Sequence, residues 1–469
     1  MKTKVLRIIG ISVLLVVGYF LIGCSNAMLP SAEEEEIYPS PTEKTIIYPA
    51  EVYYETGTLG AGAQYELWLP RWWNLTGRNL ILFVHGYVSP NAEVELPDDI
   101  DQETLDLLLS QGFAVAQSSF SETGWAVQDG AYRTVQLLRY IKLKHGFTRN
   151  VYLVGASEGG IIALRLTEYK PWLFRGTISL CSLVGGSDLE MAYLAHTRIL
   201  FDYFFREQLS QLAFLYPAAS KLNESLGAGV LDAIPTPDLK YLEPEEFAAF
   251  MTPVFTALLM NDPRAVQAMA SVTVDGMPLY PWNPGMDPNV VVQEFGAMLA
   301  ITLWYNIYGT QDLLERTGGK CIVDNLTSHY EITDPALNLL YPDLDASVER
   351  LEGERPADIY LWRWYEPKGV FRIPLVTLHT TRDPAVPFFH EYVLQEKAAR
   401  RGYSDMLAQF QLEGFGHCDL LVAEGGGFVP AEPGFKDALP RVLEYLVTWT
   451  GDTGIKPDPA PFGLTPLGP

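Results

Sequence analysis

The sequence predicts an α/β protein in which a mostly parallel, twisted sheet carries helices on both faces and is interrupted by one large, mainly helical insertion. Three observations predict it. Apolar runs of strand length alternate with amphipathic segments over residues 46–185; the alternation stops near Gly186; and Ile373-Pro-Leu-Val-Thr-Leu378 restores it. Strands buried on both faces read as unbroken apolar runs, and runs alternating with helical patterns give a parallel sheet with crossover helices.

The elements follow in order. Tyr65 to Leu69 reads as a strand and Leu80 to Val84 as a fully buried one. Thr104 to Gln111 reads as a helix closed by Gly112, and Phe113 to Gln117 as the next strand. Ala131 to Lys144 has helical spacing at Val135, Leu138 and Ile141, and Val151 to Val154 is again a strand. Beyond the insertion, residues 186–368, come a helix from about Phe388 to Arg401, a strand from Leu407 to Leu412 and a last helix from Phe435 to Thr448. The insertion is aromatic-rich and helical, with no strand rhythm. The first part of the core is thus residues 46–185 and the second 369–450. The Pro-rich end, residues 451–469, reads as a loose tail.

The N-terminus has the grammar of a leader. Lys2, Lys4 and Arg7 form a basic front, Ile8 to Ile22 an apolar core, and Leu21-Ile-Gly-Cys24 a small-residue exit. This ending resembles a bacterial lipobox. That resemblance implies a signal peptide over residues 1–23, a diacylglycerol on the Cys24 sulfur and an exported protein held to a bacterial membrane surface. An uncleaved membrane anchor and an ordinary signal peptide are the alternatives, and the apolar run is short of the roughly 20 residues a spanning helix needs. Residues 24–45, with the run Glu33 to Glu36, read as a solvated tether to a domain ordered from about Ile46.

Formal charge is −24 over 469 residues, and −27 without the three basic residues of the leader. This balance argues against nucleic acid as a partner and against docking on anionic lipid by surface charge. Besides Cys24 there are Cys181, Cys321 and Cys418, so at most one disulfide forms. Connectivity is not readable from sequence. Cys321–Cys418 is one candidate pair, with Cys181 taken as a small buried hydrophobe in a strand-like run.

One motif carries chemistry. Gly155-Ala-Ser157-Glu-Gly159 lies between a predicted strand and a predicted helix, the context that turns a common pattern into a nucleophile elbow. The turn is so tight that Gly155 and Gly159 have room only for hydrogen. A serine hydroxyl needs a base, and the base needs a carboxylate to orient it. Of seven histidines, His417 lies in Gly414-Phe-Gly-His417-Cys418, between the last strand and the last helix. Asp383, in Thr380-Thr-Arg-Asp383-Pro, follows the strand before that. The chain order Ser, Asp, His then matches this motif's usual one.

The remaining histidines have plainer readings: His145 facing water, His379 and His390 packing beside the acid loop, His196 and His329 within the insertion. His85-Gly86-Tyr87 ends a buried strand. The backbone N–H groups of Tyr87 and Glu158 are the candidates for an oxyanion hole, with the Glu158 side chain facing solvent or a helix neighbour.

Taken together these motifs resemble the α/β-hydrolase superfamily over residues 46–185 and 369–450, with the insertion where that family carries its caps. The resemblance implies a serine hydrolase of carboxylic esters with no metal or organic cofactor and a small-molecule ester as partner. A peptidase or amidase with the same triad, and a binding module keeping the fold, are the rivals. The chain is similar to secreted feruloyl esterases and tannases and to prolyl-oligopeptidase-like enzymes. The former join a Cys beside the Ser to a Cys beside the His; here Cys418 follows His417, but Ala156 stands before Ser157.

Overall fold

The structure, a computed structural model, describes residues 52–97, 100–215, 244–283, 285–418, 434–451 and 454–468. The leader, Cys24, the tether and the expected start of order near Ile46 lie outside these residues.

The central sheet is built from β1 (Val52–Leu59), β2 (Ala63–Pro70), β3 (Asn79–Val84), β4 (Ala114–Ser118), β5 (Asn150–Ala156), β6 (Gly176–Leu180), β10 (Leu375–Arg382), β11 (Leu407–Phe415) and β12 (Thr465–Pro466), and the strands lie in the order β1-β2-β4-β3-β5-β6-β10-β11-β12. From β4 to β11 every neighbour is parallel, whereas β1, β2 and β12 pair antiparallel at the edges. The period of two along β3 decides the two faces. Leu80, Leu82 and Val84 join one apolar cluster with Leu138, Ile141 and Ile162; Ile81 and Phe83 join another with Leu105, Val154 and Leu443. Each such side chain contributes roughly 1.5–3 kcal/mol on full burial.

The crossovers are α1 (Gln102–Ser110), α2 (Val127–His145) and α3 (Glu158–Tyr169). Asp101 caps α1, its carboxylate accepting from the Thr104 N–H at 2.9 Å. The insertion follows β6 and holds α4 (Ser187–Leu212), α5 (Pro244–Asn261), α6 (Pro263–Ala270), α7 (Pro288–Arg316) and α8 (Arg355–Tyr365). Then α9 (Phe389–Arg401) and α10 (Phe435–Trp449) complete the core. The segment Asn289–Arg316 is long and apolar enough to cross a membrane, but 76 % of its apolar window is buried inside the protein, as in the central helix of a helical layer.

The insertion is mainly helical, as expected, with one addition the sequence did not show: β7 (Val272–Val274), β8 (Met277–Pro278) and β9 (Tyr330–Ile332) form a small antiparallel sheet. These strands are too short to show a period of two. Their one local signal was Asp275-Gly276, a hairpin turn with φ of 53° and 82°. One expectation is corrected: the C-terminal segment, read as a loose tail, is held against the core. Thr465 and Pro466 add to the free edge of β11, where a proline costs no ladder bond, and Tyr445 donates to the Pro457 carbonyl at 3.0 Å.

Candidate active site

The carboxyl ends of β3, β5, β10 and β11 meet at one place. At the end of β5 the chain turns into α3 through Ser157, whose φ of 53° and ψ of −124° are those of a strained turn. The glycines on either side follow from space alone. A Cβ at Gly159 would lie 1.9 Å from the Val84 carbonyl oxygen, and one at Gly155 would lie 2.1 Å from the Gly159 carbonyl oxygen. Around the turn, the Ser157 N–H donates to the Leu180 carbonyl at 2.9 Å and the Ser182 hydroxyl donates to the Ser157 carbonyl at 2.6 Å.

Ser157, His417 and Asp383 stand in a hydrogen-bonded file. Nε2 of His417 is 3.0 Å from Ser157 Oγ, and Nδ1 is 2.8 Å from Asp383 Oδ2 and 3.0 Å from Oδ1. With Nδ1 facing a carboxylate, the neutral ring carries its proton there and presents a lone pair at Nε2 to the hydroxyl. Asp383 also accepts the N–H groups of Ala385 and Val386, both at 2.9 Å. Burial by itself would raise the Asp383 carboxyl, but the imidazoles of His417 and His379 outweigh it and hold it at about 2.

Beside the serine, the loop after β3 comes close. A Cβ at Gly86 would be 3.2 Å from the Ser157 Cβ and 3.8 Å from Oγ, so the backbone of residues 85–87 runs against the nucleophile elbow. The Tyr87 ring packs between Trp125, at the start of α2, and Trp304 and Tyr305 of α7. The same helix is tied to the core by the Trp125 ring N–H, donating to Gly309, and by Asp312, accepting the Trp125 backbone N–H at 2.6 Å. The insertion therefore lies over the elbow as a cap. A cavity of about 410 Å³ opens at this end, lined in part by Asn91, Glu122, Tyr308, Asp312 and Arg316.

No protein-family model matches this chain, and no curated protein does. Among solved structures, the fold is similar to that of an esterase from Aspergillus oryzae, at 17 % identity and a TM-score of 0.43, over 87 % of this chain and 80 % of that one. It is similar also to feruloyl esterase B from Aspergillus oryzae, at 16 % identity and a TM-score of 0.43, over 86 % and 81 %. A third is the Pyrococcus horikoshii acylaminoacyl peptidase, at 9 % identity and a TM-score of 0.39, over 87 % of this chain but 42 % of that one. The fold is the α/β-hydrolase fold. What carries the statement is the chain's own strand order together with the strand-turn-helix at Ser157.

Within this hydrolase fold several side chains differ from expectation. Cys418 pairs with Cys181, at the end of β6, and Cys321 is a free, buried thiol. The offered Cys321–Cys418 bridge is therefore wrong, and Cys181 is more than a packed hydrophobe. Position 156, on the nucleophile's own strand, gives no sign of this bridge, because the partner lies on the neighbouring strand. The Glu158 side chain faces neither solvent nor a helix neighbour. It is buried, and burial raises its carboxyl well above the usual range. His145 is turned inward to Glu55, 3.0 Å from its Oε2. His196 meets the Tyr330 hydroxyl at 2.7 Å.

The residue that sequence reasoning undervalued is His379. Its Nε2 lies 3.0 Å from the Val386 carbonyl and 3.4 Å from Asp383 Oδ2, and its Nδ1 lies 3.3 Å from Glu391 Oε1. Glu391 accepts from the Thr377 hydroxyl and, at 2.7 Å, from the Gln409 amide. Both ring nitrogens of His379 thus face acceptors, and the ring carries two protons. Burial would lower its pKa, but Asp383 and Glu391 overcome that and raise it to about 10. His390 is the contrast. Its Nδ1 accepts the Gly185 N–H at 3.1 Å, so the ring is neutral, and its Nε2 lies 3.1 Å from Glu190 Oε2 without the alignment of a hydrogen bond. Nothing in the one-dimensional pattern separates these two histidines, because the difference lies in what the strands bring beside them.

Proposed function

We propose that this chain is a serine hydrolase that cleaves carboxylic esters through an acyl-enzyme on Ser157. The observation that carries the reading is the file Ser157–His417–Asp383 at the nucleophile elbow. His417 takes the hydroxyl proton as Ser157 attacks the ester carbonyl, and Asp383 keeps the imidazole in the required tautomer and favours its charged form. The backbone N–H groups of Tyr87 and Glu158 receive the oxyanion. The alcohol leaves with the proton held by His417; water then attacks the acyl-enzyme by the same route and releases the carboxylic acid. The aromatic faces of Tyr87, Trp304 and Tyr305 under the cap favour an apolar group on the substrate.

The test is hydrolysis of p-nitrophenyl acetate, butyrate and decanoate by the wild-type chain and by Ser157→Ala, with a fluorophosphonate label. Labelling and turnover that both disappear in Ser157→Ala are expected. Labelling at Ser157 with turnover of amides but not esters would replace the esterase by a peptidase. Absence of both would remove the acyl-enzyme mechanism.

We also propose that Cys24 carries a lipid and that the hydrolase works outside the cytoplasm, tethered through residues 24–45. Metabolic labelling with a radioactive fatty acid is expected to mark the wild type and not Cys24→Ser.

A further inference from the structure

The net charge of −24 conceals a segregation. Three turns close the amino-terminal end of the sheet: Arg71–Arg78 leads into β3, the end of α2 through Arg149 into β5, and Lys170–Arg175 into β6. They are neighbours. The Arg149 N–H donates to the Arg78 carbonyl at 3.1 Å, Arg78 donates to the Phe147 carbonyl at 3.2 Å, and the Arg175 N–H donates to the Val151 carbonyl at 2.7 Å. The segments 71–78, 139–149 and 170–175 together hold eight Lys and Arg and no Asp or Glu. The acidic side chain that meets them, Glu55, is buried against Lys144 and His145.

Between these cations stand large apolar side chains with no cover from the described residues. Leu75 is 88 % exposed, Leu143 87 %, Phe147 69 % and Trp172 71 %. The Lys170 ammonium lies 5.3 Å over the Trp172 ring. Isolated exposed hydrophobes are ordinary, but four of them on one basic end are not. A phosphate backbone is met by cations alone and leaves Leu and Phe in water. A bilayer surface takes both, with cations at the headgroups and apolar side chains just below.

The chain's own entry points the same way. Strand β1 is antiparallel to β2, which is antiparallel to β4, so β1 runs with the core strands and Val52 begins it at this same end. Residues 1–51, with the apolar run Ile8 to Ile22 and Cys24, therefore join the domain on the basic side.

We propose that this end of the sheet is a membrane-docking face that seats on a bilayer containing anionic headgroups, with Leu75, Leu143, Phe147 and Trp172 entering the interface. The inference does not depend on the reaction at Ser157. It orients that reaction: Ser157 lies at the opposite end of β5, roughly 20 Å from the bilayer at about 3.3 Å per residue. The opening under the cap then faces the aqueous phase, and the substrate is taken from solution and not from the supporting bilayer.

The experiment uses the full chain in vesicles of phosphatidylcholine, with and without phosphatidylglycerol, so that any N-terminal anchor is the same in every sample. An environment-sensitive fluorophore is placed at Leu143→Cys and, as control, at Leu339→Cys, an 82 % exposed position on the cap. Expected is a blue shift and quenching by nitroxide lipids at position 143 when phosphatidylglycerol is present, and neither at position 339. Arg149→Glu/Lys170→Glu, both at exposed positions, is expected to lower insertion at 143 at least about tenfold. Phe147→Ser/Trp172→Ser should lower it with the charges intact. Unchanged melting temperatures establish that these variants fold. A label at 143 that stays in water on anionic vesicles overturns the proposal. So does equal insertion at both positions, or shielding of position 143 by duplex DNA without insertion into vesicles.

Discussion

Nε2 of His379 stands 3.4 Å from Oδ2 of Asp383, the oxygen that also faces Nδ1 of His417 at 2.8 Å, and the far side of its ring is held by Glu391. The file that begins at Ser157 thus continues inward as a buried alternation of imidazole and carboxylate. Other titratable groups nearby are Glu190 from α4, whose carboxyl is raised by burial, and Lys397 from α9.

His379 faces Asp383 with one ring nitrogen and Glu391 with the other, so it braces the carboxylate that orients His417. His379→Gln removes that brace and is expected to lower kcat for ester hydrolysis about tenfold with little change in KM, because an orienting carboxylate acts on the chemical step and not on binding. An unchanged kcat would reduce His379 to packing.

The same residue sets a pH dependence of stability. The His379 pKa is raised to about 10 in the folded state, against about 6.5 unfolded. Its stabilising contribution is therefore complete below about pH 6.5 and is lost as pH rises through about 10. The melting temperature of the wild type should fall between pH 7 and 10 more steeply than that of His379→Gln, as followed by circular dichroism.

Glu158 makes the opposite demand. Buried, with its pKa raised, it folds in the protonated form, and that costs stability at any pH where the unfolded chain ionises it. Glu158→Gln is expected to melt with the wild type near pH 4 and above it at pH 7–8. Equal melting at both values would show that the carboxylate is already ionised in the fold.

Breaking the Cys181–Cys418 bridge should cost about 5 kcal/mol, the upper end of the usual range, since the loop it closes is long. It should also lower kcat more than KM changes, because the bridge fixes Cys418, the residue next to His417. Urea unfolding and p-nitrophenyl butyrate kinetics of Cys181→Ser/Cys418→Ser measure both. An unaltered kcat would separate the bridge from the base.

Gly159→Ala places a methyl 1.9 Å from a backbone oxygen of β3, with no flexible side chain to yield. Destabilisation above about 4 kcal/mol, or no soluble protein at all, is expected. Ala156→Gly, which only removes a methyl at the end of β5, should keep the fold. Chemical denaturation of the two variants side by side makes the comparison.

Much of this was legible in the sequence because it rests on local pattern. The strand rhythm, the break at Gly186 and the elbow at Ser157 each depend on residues adjacent in the chain. What the sequence withheld depends on neighbours across strands. The partner of Cys418 sits at the end of β6, 237 residues away, and the charge on His379 is decided by Asp383 at the end of β10 and Glu391 on α9. The small sheet in the cap hid for another reason: two- and three-residue strands carry no period. Net charge is an average, and composition holds no record of which turns meet at one end of a sheet.

The pairing of Cys181 with Cys418 leaves one free thiol among the described residues, Cys321, which is 2 % exposed in the interior of the cap. Disulfide exchange needs a thiolate that can reach a sulfur of the bridge, and burial both closes off the Cys321 thiol and raises its pKa. The folded cap thus also protects the bond beneath it from being reshuffled by the protein's own spare sulfur.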